Sequence, residues 1–189
     1  MQGAVNTLGT PGIAAYTATT RIEGFANSFG TSVGQALSVF VSQNYGAQND
    51  DRVRDGLKES LKLGVCLGLM LSALMFLSAR VGVGIFLKDG EAQAIAYGVA
   101  YLRQIALFYV MCFTGNLFAG YFRGVGRVYT PLAATTLHIS VRVVLSYLWA
   151  GKLGLRAVAL ATGVGWLCMT AVQLTMLWRI RRKPRIAVN

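Results

Sequence analysis

Residues 104–122 carry no charge, and the run is closed by Arg123-Gly124-Val125-Gly126-Arg127 before Pro131 opens another apolar stretch. A helix needs about 20 predominantly apolar residues to cross the hydrocarbon core of a bilayer. The run is about that long, so the chain is expected to fold in a membrane. Gly124 and Gly126 relax the backbone where a helix must stop. Pro131 lacks the amide hydrogen of a helix interior but suits a first turn. The stretch therefore reads as the hinge between two spans, with Arg123 and Arg127 marking its cytoplasmic side.

Composition agrees. The 189 residues are 54% hydrophobic and 13% charged, against roughly 25% charged in soluble proteins. The net charge of +11 raises nucleic acid as a partner. However, the basic residues stand at the ends of apolar runs and do not form one stripe interleaved with aromatics, so nucleic acid is excluded. Cys66, Cys112 and Cys168 each lie inside an apolar run without metal or redox spacing, and read as small core residues. His138 has no Cys, Asp or second His at a metal-site spacing, so no metal is expected. One His and few acids supply no nucleophile, base and orienting group, so an enzyme is not expected. The glycines of the Arg-Gly turn are not a phosphate loop, because no Lys-Ser/Thr follows. Met1 is followed by polar residues without a basic segment, so no secretory signal is expected.

In chain order, residues 1–10 end in Leu8-Gly9-Thr10 before Pro11 and read as a terminus and turn, after which a helix can start. Residues 24–48 are uncharged and form the first span, entering near residues 19–23 and ending at Tyr45-Gly46. Its Asn27, Ser28, Thr31, Ser32, Gln35, Ser38, Ser42 and Gln43 prefer protein or a wet cavity to lipid. Gly30 and Gly34 are spaced to admit a second helix closely. Residues 49–59 mix both charges densely and predict a solvated loop with a short amphipathic helix, capped by Asp50 or Asp51. A second span covers 61–87, with a second small-residue pair at Gly64 and Gly68, and exits near Gly82. Residues 88–91 read as a turn. The third span, 92–122, is longer than the core needs, so it is tilted, broken or projecting, with Arg103 near its entry. The fourth covers 132–149 and carries His138 and Arg142 on one helical face. Residues 152–156 form a loop, and the fifth span, 157–178, ends in a basic tail over 179–189.

The fold class expected is thus all-α, a polytopic bundle of about five transmembrane helices making one membrane domain over 1–189. Lys- and Arg-rich loops stay cytoplasmic. With the tail inside, Arg123, Arg127, Arg52, Arg54, Lys58 and Lys62 are inside too, while Arg80, Lys88, Lys152 and Arg156 fall outside. Five spans then begin outside, which suggests a further span upstream.

Several polar side chains at membrane depth are candidates for function. Arg142 is costly in a span unless it faces water, pairs with an acid or snorkels to the interface. Glu23 either functions or pairs with a basic neighbour near a span end. Asn27, Gln35, Gln104 and Asn116 either line a cavity or hydrogen-bond between helices.

Leu8-Gly9-Thr10-Pro11-Gly12-Ile13-Ala14-Ala15-Tyr16, the polar span with Gly34-Gln35-Ala36-Leu37-Ser38-Val39-Phe40-Val41-Ser42-Gln43-Asn44-Tyr45-Gly46-Ala47, and Arg123-Gly124-Val125-Gly126 together resemble the multidrug and toxic compound extrusion (MATE) family. The resemblance covers nearly the whole chain. It implies the second of two six-helix bundles around a central cavity, here without its first helix, whose outer end would be residues 1–9. It further implies rocking-type alternating access, with a lipophilic or cationic drug leaving as sodium ions or protons enter. The partners implied are membrane lipid, a small-molecule drug or cation, and a missing N-terminal lobe. The place implied is the cell membrane, with the C-terminus cytoplasmic. In some sodium-coupled members a carboxylate occupies a place that matches Cys112, and another lies on the helix not present here. Glu23 is the acid left to the spans. Two alternatives stand. One is a flippase for lipid-linked oligosaccharides of the same superfamily, for which Arg21, Arg103 and Arg142 would have to hold a pyrophosphate. The other is a membrane assembly subunit that transports nothing.

Overall fold

The computed structural model describes residues 3, 5, 9–87 and 91–182, and among these the chain is helical with no strand. The first long helix, α1 (Gly9–Gly46, 38 residues), begins at Gly9, whose φ of +72° is a glycine conformation. Pro11 sits in the first turn, where no helical hydrogen bond is lost. At 1.5 Å per residue α1 is about 57 Å long, well beyond the roughly 30 Å core. The span therefore starts earlier than residues 19–23, and Glu23 lies well inside its helix. Several of its hydroxyls satisfy themselves: Thr17, Ser28, Thr31 and Ser42 each donate to a carbonyl three or four residues back.

The dense mixed-charge stretch is not a loop. It forms the opening turns of α2 (Asp50–Leu77), continuous with the apolar span that follows. The cap is neither Asp50 nor Asp51. Asn49 accepts from the Arg52 amide at 3.1 Å, while the two aspartates complement the dipole of the first turn. Exposed pairs Asp51–Arg54, Asp55–Lys58 and Glu59–Lys62, each three residues apart, keep these charges in helical register.

The second span stops sooner than expected. At Ser78 the hydroxyl and the amide both donate to the Leu74 carbonyl. The short helix α3 (Ala79–Phe86) begins after this break. Residues 88–90, the rest of the expected turn, lie outside the described residues, and Glu91 stands at the N-cap of α4 (Ala92–Ala106).

Of the three possibilities for the long third span, the structure shows a break. α4 and α5 (Tyr109–Gly124) meet at 52°. No proline or glycine causes it. The Ala106 carbonyl, freed by the bend, accepts the Ser72 hydroxyl from α2.

The Arg-Gly turn is a Schellman motif: Gly126 has φ +76°, its amide donates to Arg123, and the Arg127 amide donates to Phe122. Helix α6 (Tyr129–Leu153) starts one turn before its expected boundary, with Pro131 in its first turn. The loop expected over 152–156 shrinks to Gly154, which separates α6 from α7 (Leu155–Arg182). Gly154 has φ 56° and ψ −138°, a region nearly closed to side chains. Gly154→Ala is expected to cost about 1–3 kcal/mol, read as a lower thermal midpoint in detergent. Of the basic tail, residues 183–189 lie outside the described residues.

Three helices, α2, α6 and α7, are long and apolar enough to cross a membrane, and the bent α4–α5 pair makes a fourth. Helix α1 is long enough for a fifth, but its polar residues leave it less apolar than these. Together they form the expected all-helical membrane bundle.

Helix α5 is the central element and packs on α1, α2 and α7. Its Phe113, Leu117 and Phe122 are buried. Both small-residue pairs serve it: a methyl at Gly30 or Gly34 would meet Asn116 and Phe113, and one at Gly64 or Gly68 would meet Leu117, Val110 and Phe113. Of the cysteines, Cys112 is buried on α5, but Cys66 is exposed on α2 and is not a core residue.

Candidate functional site

One stripe of α1, with Tyr16, Glu23, Asn27, Gly30 and Gly34 at helical spacing, faces α4, α5 and α6. The polar side chains on it find partners in two adjoining groups. In the first, Arg142 of α6 donates from Nη2 to the Tyr16 hydroxyl at 3.4 Å. Glu23 lies in the field of Arg142 and faces Tyr101 of α4. Glu23 Oε1 and the Tyr101 hydroxyl are both enclosed and face one another, and among the described residues neither finds a further hydrogen-bond partner. Below them the Tyr109 hydroxyl donates to the backbone carbonyl of Glu23 at 2.8 Å.

The second group is one turn further along α1. Asn27 Oδ1 accepts from Cys112 Sγ at 3.2 Å and from Asn116 Nδ2 at 3.3 Å. Asn116 also donates to the Cys112 carbonyl at 3.0 Å. Gly30 allows this closeness, since a methyl there would stand 3.2 Å from Asn116 Nδ2. The two groups form one network joining four helices, with Glu23 as its acid.

Four of the six candidates, Glu23, Asn27, Asn116 and Arg142, thus come together. Gln35 does not: it is exposed on the opposite face of α1, in line with Phe25, Ser28, Ser32 and Val39. Gln104 is also elsewhere, in an open groove beside Arg103. Arg21 and Arg103 lie over the rings of Phe86 and Phe76, at 5.8 and 5.5 Å, so of the three arginines considered Arg142 alone joins the network. His138 stacks on Trp166 at 6.1 Å, and Trp166 meets Tyr109 edge-on at 5.7 Å. The histidine therefore buttresses a network residue from α6.

Sequence reasoning missed the tyrosines. Tyr16 stands two turns before Glu23, a spacing that puts both on one face, and that signal was available. Tyr101 and Tyr109 lie on either side of the break, whose angle decides that both reach Glu23.

What the arrangement can do chemically follows from its charges. A carboxylate enclosed in a membrane bundle and, among the described residues, held in no ion pair is costly as an anion. It is relieved by a proton or by a small cation, for which the facing tyrosine hydroxyl is an oxygen ligand.

Residues 1–148, most of the chain, match the MatE family. The chain belongs to that family. Among curated MatE relatives, the probable multidrug resistance protein NorM of Brucella suis is 28% identical over 180 residues, which cover 91% of this chain and 38% of NorM. The probable multidrug resistance protein YoeA of Bacillus subtilis is 26% identical over 149 residues, covering 76% of this chain and 32% of YoeA. The inward-facing conformation of a multidrug resistance MATE family transporter of the MOP superfamily superposes with a TM-score of 0.88 at 18% identity, over 98% of this chain and 42% of that chain. A MATE in the bent conformation gives 0.89 at 19%, over 95% and 40%. The chain therefore spans well under half the length of the MatE proteins it matches, and the structural likeness establishes the fold.

Proposed function

We propose that this chain is one membrane domain, a lobe of a cation-coupled exporter in the cell membrane. Sodium ions or protons enter while a lipophilic or cationic compound leaves by alternating access. Residues 179–189 form a basic cytoplasmic tail, on the same side as the Arg-Gly turn.

The observation that carries the reading is Glu23: an acid enclosed between α1 and α4, faced by tyrosine hydroxyls, with an arginine near but not paired to it. Such a group binds a proton or cation and changes the local charge when it does. A drug cation competes for the same charge, and competition at one site is what coupling requires. The NorM and YoeA names support a drug-like cargo. Family membership supports transport over catalysis.

The exposed face of α1, with Phe25, Ser28, Ser32 and Gln35, mixes aromatic and polar groups as a cavity wall would. Its other wall belongs to an N-terminal lobe. The flippase alternative is disfavoured, since Arg21 and Arg103 face phenylalanines away from the network.

The test is ethidium accumulation in bacteria stripped of their own efflux pumps. The chain joined to the N-terminal lobe is expected to lower accumulation several-fold, and the chain alone is expected to leave it unchanged. Strong export by the chain alone would overturn the one-lobe reading, and none by the joined protein would overturn the exporter reading.

A further inference from the structure

A groove of about 760 Å³ lies away from the Glu23 network, between the break at Ser78, helix α4 and the start of α7. Three arginines line it, each from a different helix: Arg80 of α3, Arg103 of α4 and Arg156 of α7. All three are exposed. Among the described residues no carboxylate lines the groove and none forms an ion pair with these arginines. Like charges gathered without a counter-charge repel one another, which is relieved when an anion sits among them. Between the arginines the wall is apolar, made by Phe76, Ile95 and Leu107.

The depth of the groove follows from the chain itself. Arg156 and Arg179 bracket the uncharged run 157–178 of α7, one unbroken helix, which at 1.5 Å per residue measures about 33 Å, close to the roughly 30 Å hydrocarbon core. Arg179 therefore marks the boundary on the side of the Arg-Gly turn and Arg156 the other. The groove sits at headgroup level, in the leaflet opposite the Arg-Gly turn. Below it α2 exposes Leu74 and Leu77, and beside it α3 exposes Val81 and Ile85, at 57, 79, 69 and 74%. Such a surface suits acyl chains.

We propose that Arg80, Arg103 and Arg156 bind the phosphate of an anionic phospholipid, whose chains lie along Phe76, Ile95 and Leu107. Guanidinium forks match phosphate oxygens. Basic pockets between transmembrane helices are a known form of headgroup recognition. Arg103 is already held by the Phe76 ring at 5.5 Å, so less of its freedom is lost on binding. The inference does not depend on transport.

The experiment is a lipid titration of the purified full chain in detergent, read by native mass spectrometry. Phosphatidylglycerol is expected to bind at least about tenfold more tightly than phosphatidylcholine, because each tenfold is 1.4 kcal/mol, within reach of one charge-assisted contact. The triple variant R80Q/R103Q/R156Q is expected to lose that preference. The variant R54Q/R123Q/R127Q removes as many exposed charges from the other end of the bundle and is expected to keep it. Should the first triple variant fail to fold, Arg156→Gln alone, at the exposed start of α7, is expected to weaken phosphatidylglycerol several-fold. Equal binding of the two lipids, or equal loss in both triple variants, would overturn the site. Displacement of phosphatidylglycerol by glycerol phosphate at equal concentration would also overturn it, making the groove a soluble-anion site.

Discussion

Gly120→Ala is expected to destabilise the bundle by about 3 kcal/mol or more, whereas the same change at the open position Gly24 is harmless. Helix α5 crosses α1 backbone to backbone. A methyl on Gly120 would stand 2.1 Å from the Gly34 carbonyl oxygen and 2.9 Å from its carbon. A methyl on Gly34 would stand 2.6 Å from the Asn116 carbonyl oxygen, and one on Gly124 would be 2.8 Å from that of Ser38. These obstacles are main chain, so no side chain can turn aside, and one helix must move. The network would move with it, because Asn116 lies one turn from Gly120 on the same face. Gly24→Ala is the control: no atom lies within 4 Å of a methyl there, and alanine in a helix interior gains up to about 1 kcal/mol over glycine. Thermal midpoints in detergent separate the two, and equal midpoints would mean that α1 and α5 do not meet as described.

That seam was legible in the sequence because Gly30/Gly34 and Gly64/Gly68 repeat at the spacing of one helical turn, a property of the helix alone. The Arg-Gly turn was legible for the same reason: Gly126 meets a local need for a left-handed residue. What was hidden depends on distant partners. The bend between Ala106 and Tyr109 has no proline or glycine to announce it, and the freed carbonyl is taken by Ser72, far off in sequence. That bend lies between Tyr101 of α4 and Tyr109 of α5, which both face Glu23. The mixed-charge stretch misled because charge density was read without its spacing. Asp55–Lys58 and Glu59–Lys62 are three apart, which marks a helix. The place of Glu23 depended on where α1 begins. Once Gly9 is the start, the acid is interior and its enclosure follows.

Glu23→Gln is expected to leave the fold intact and remove coupling. The amide has the shape of the acid, and no ion pair within 4 Å is broken, since the three ion pairs among the described residues lie on α2. What goes is the capacity to exchange a proton or cation in step with the drug. An interaction with a charged group is worth roughly 1.5–3 kcal/mol, so gradient-driven transport is expected to fall about ten- to a hundredfold.

The deciding measurement is the movement of a lipophilic cation against an imposed sodium or proton gradient, in proteoliposomes holding the chain joined to its N-terminal lobe, wild type beside Glu23→Gln. The account predicts gradient-driven movement in the wild type and its loss in the variant, at matched thermal midpoints. Equal gradient-driven movement in the two proteins would contradict it.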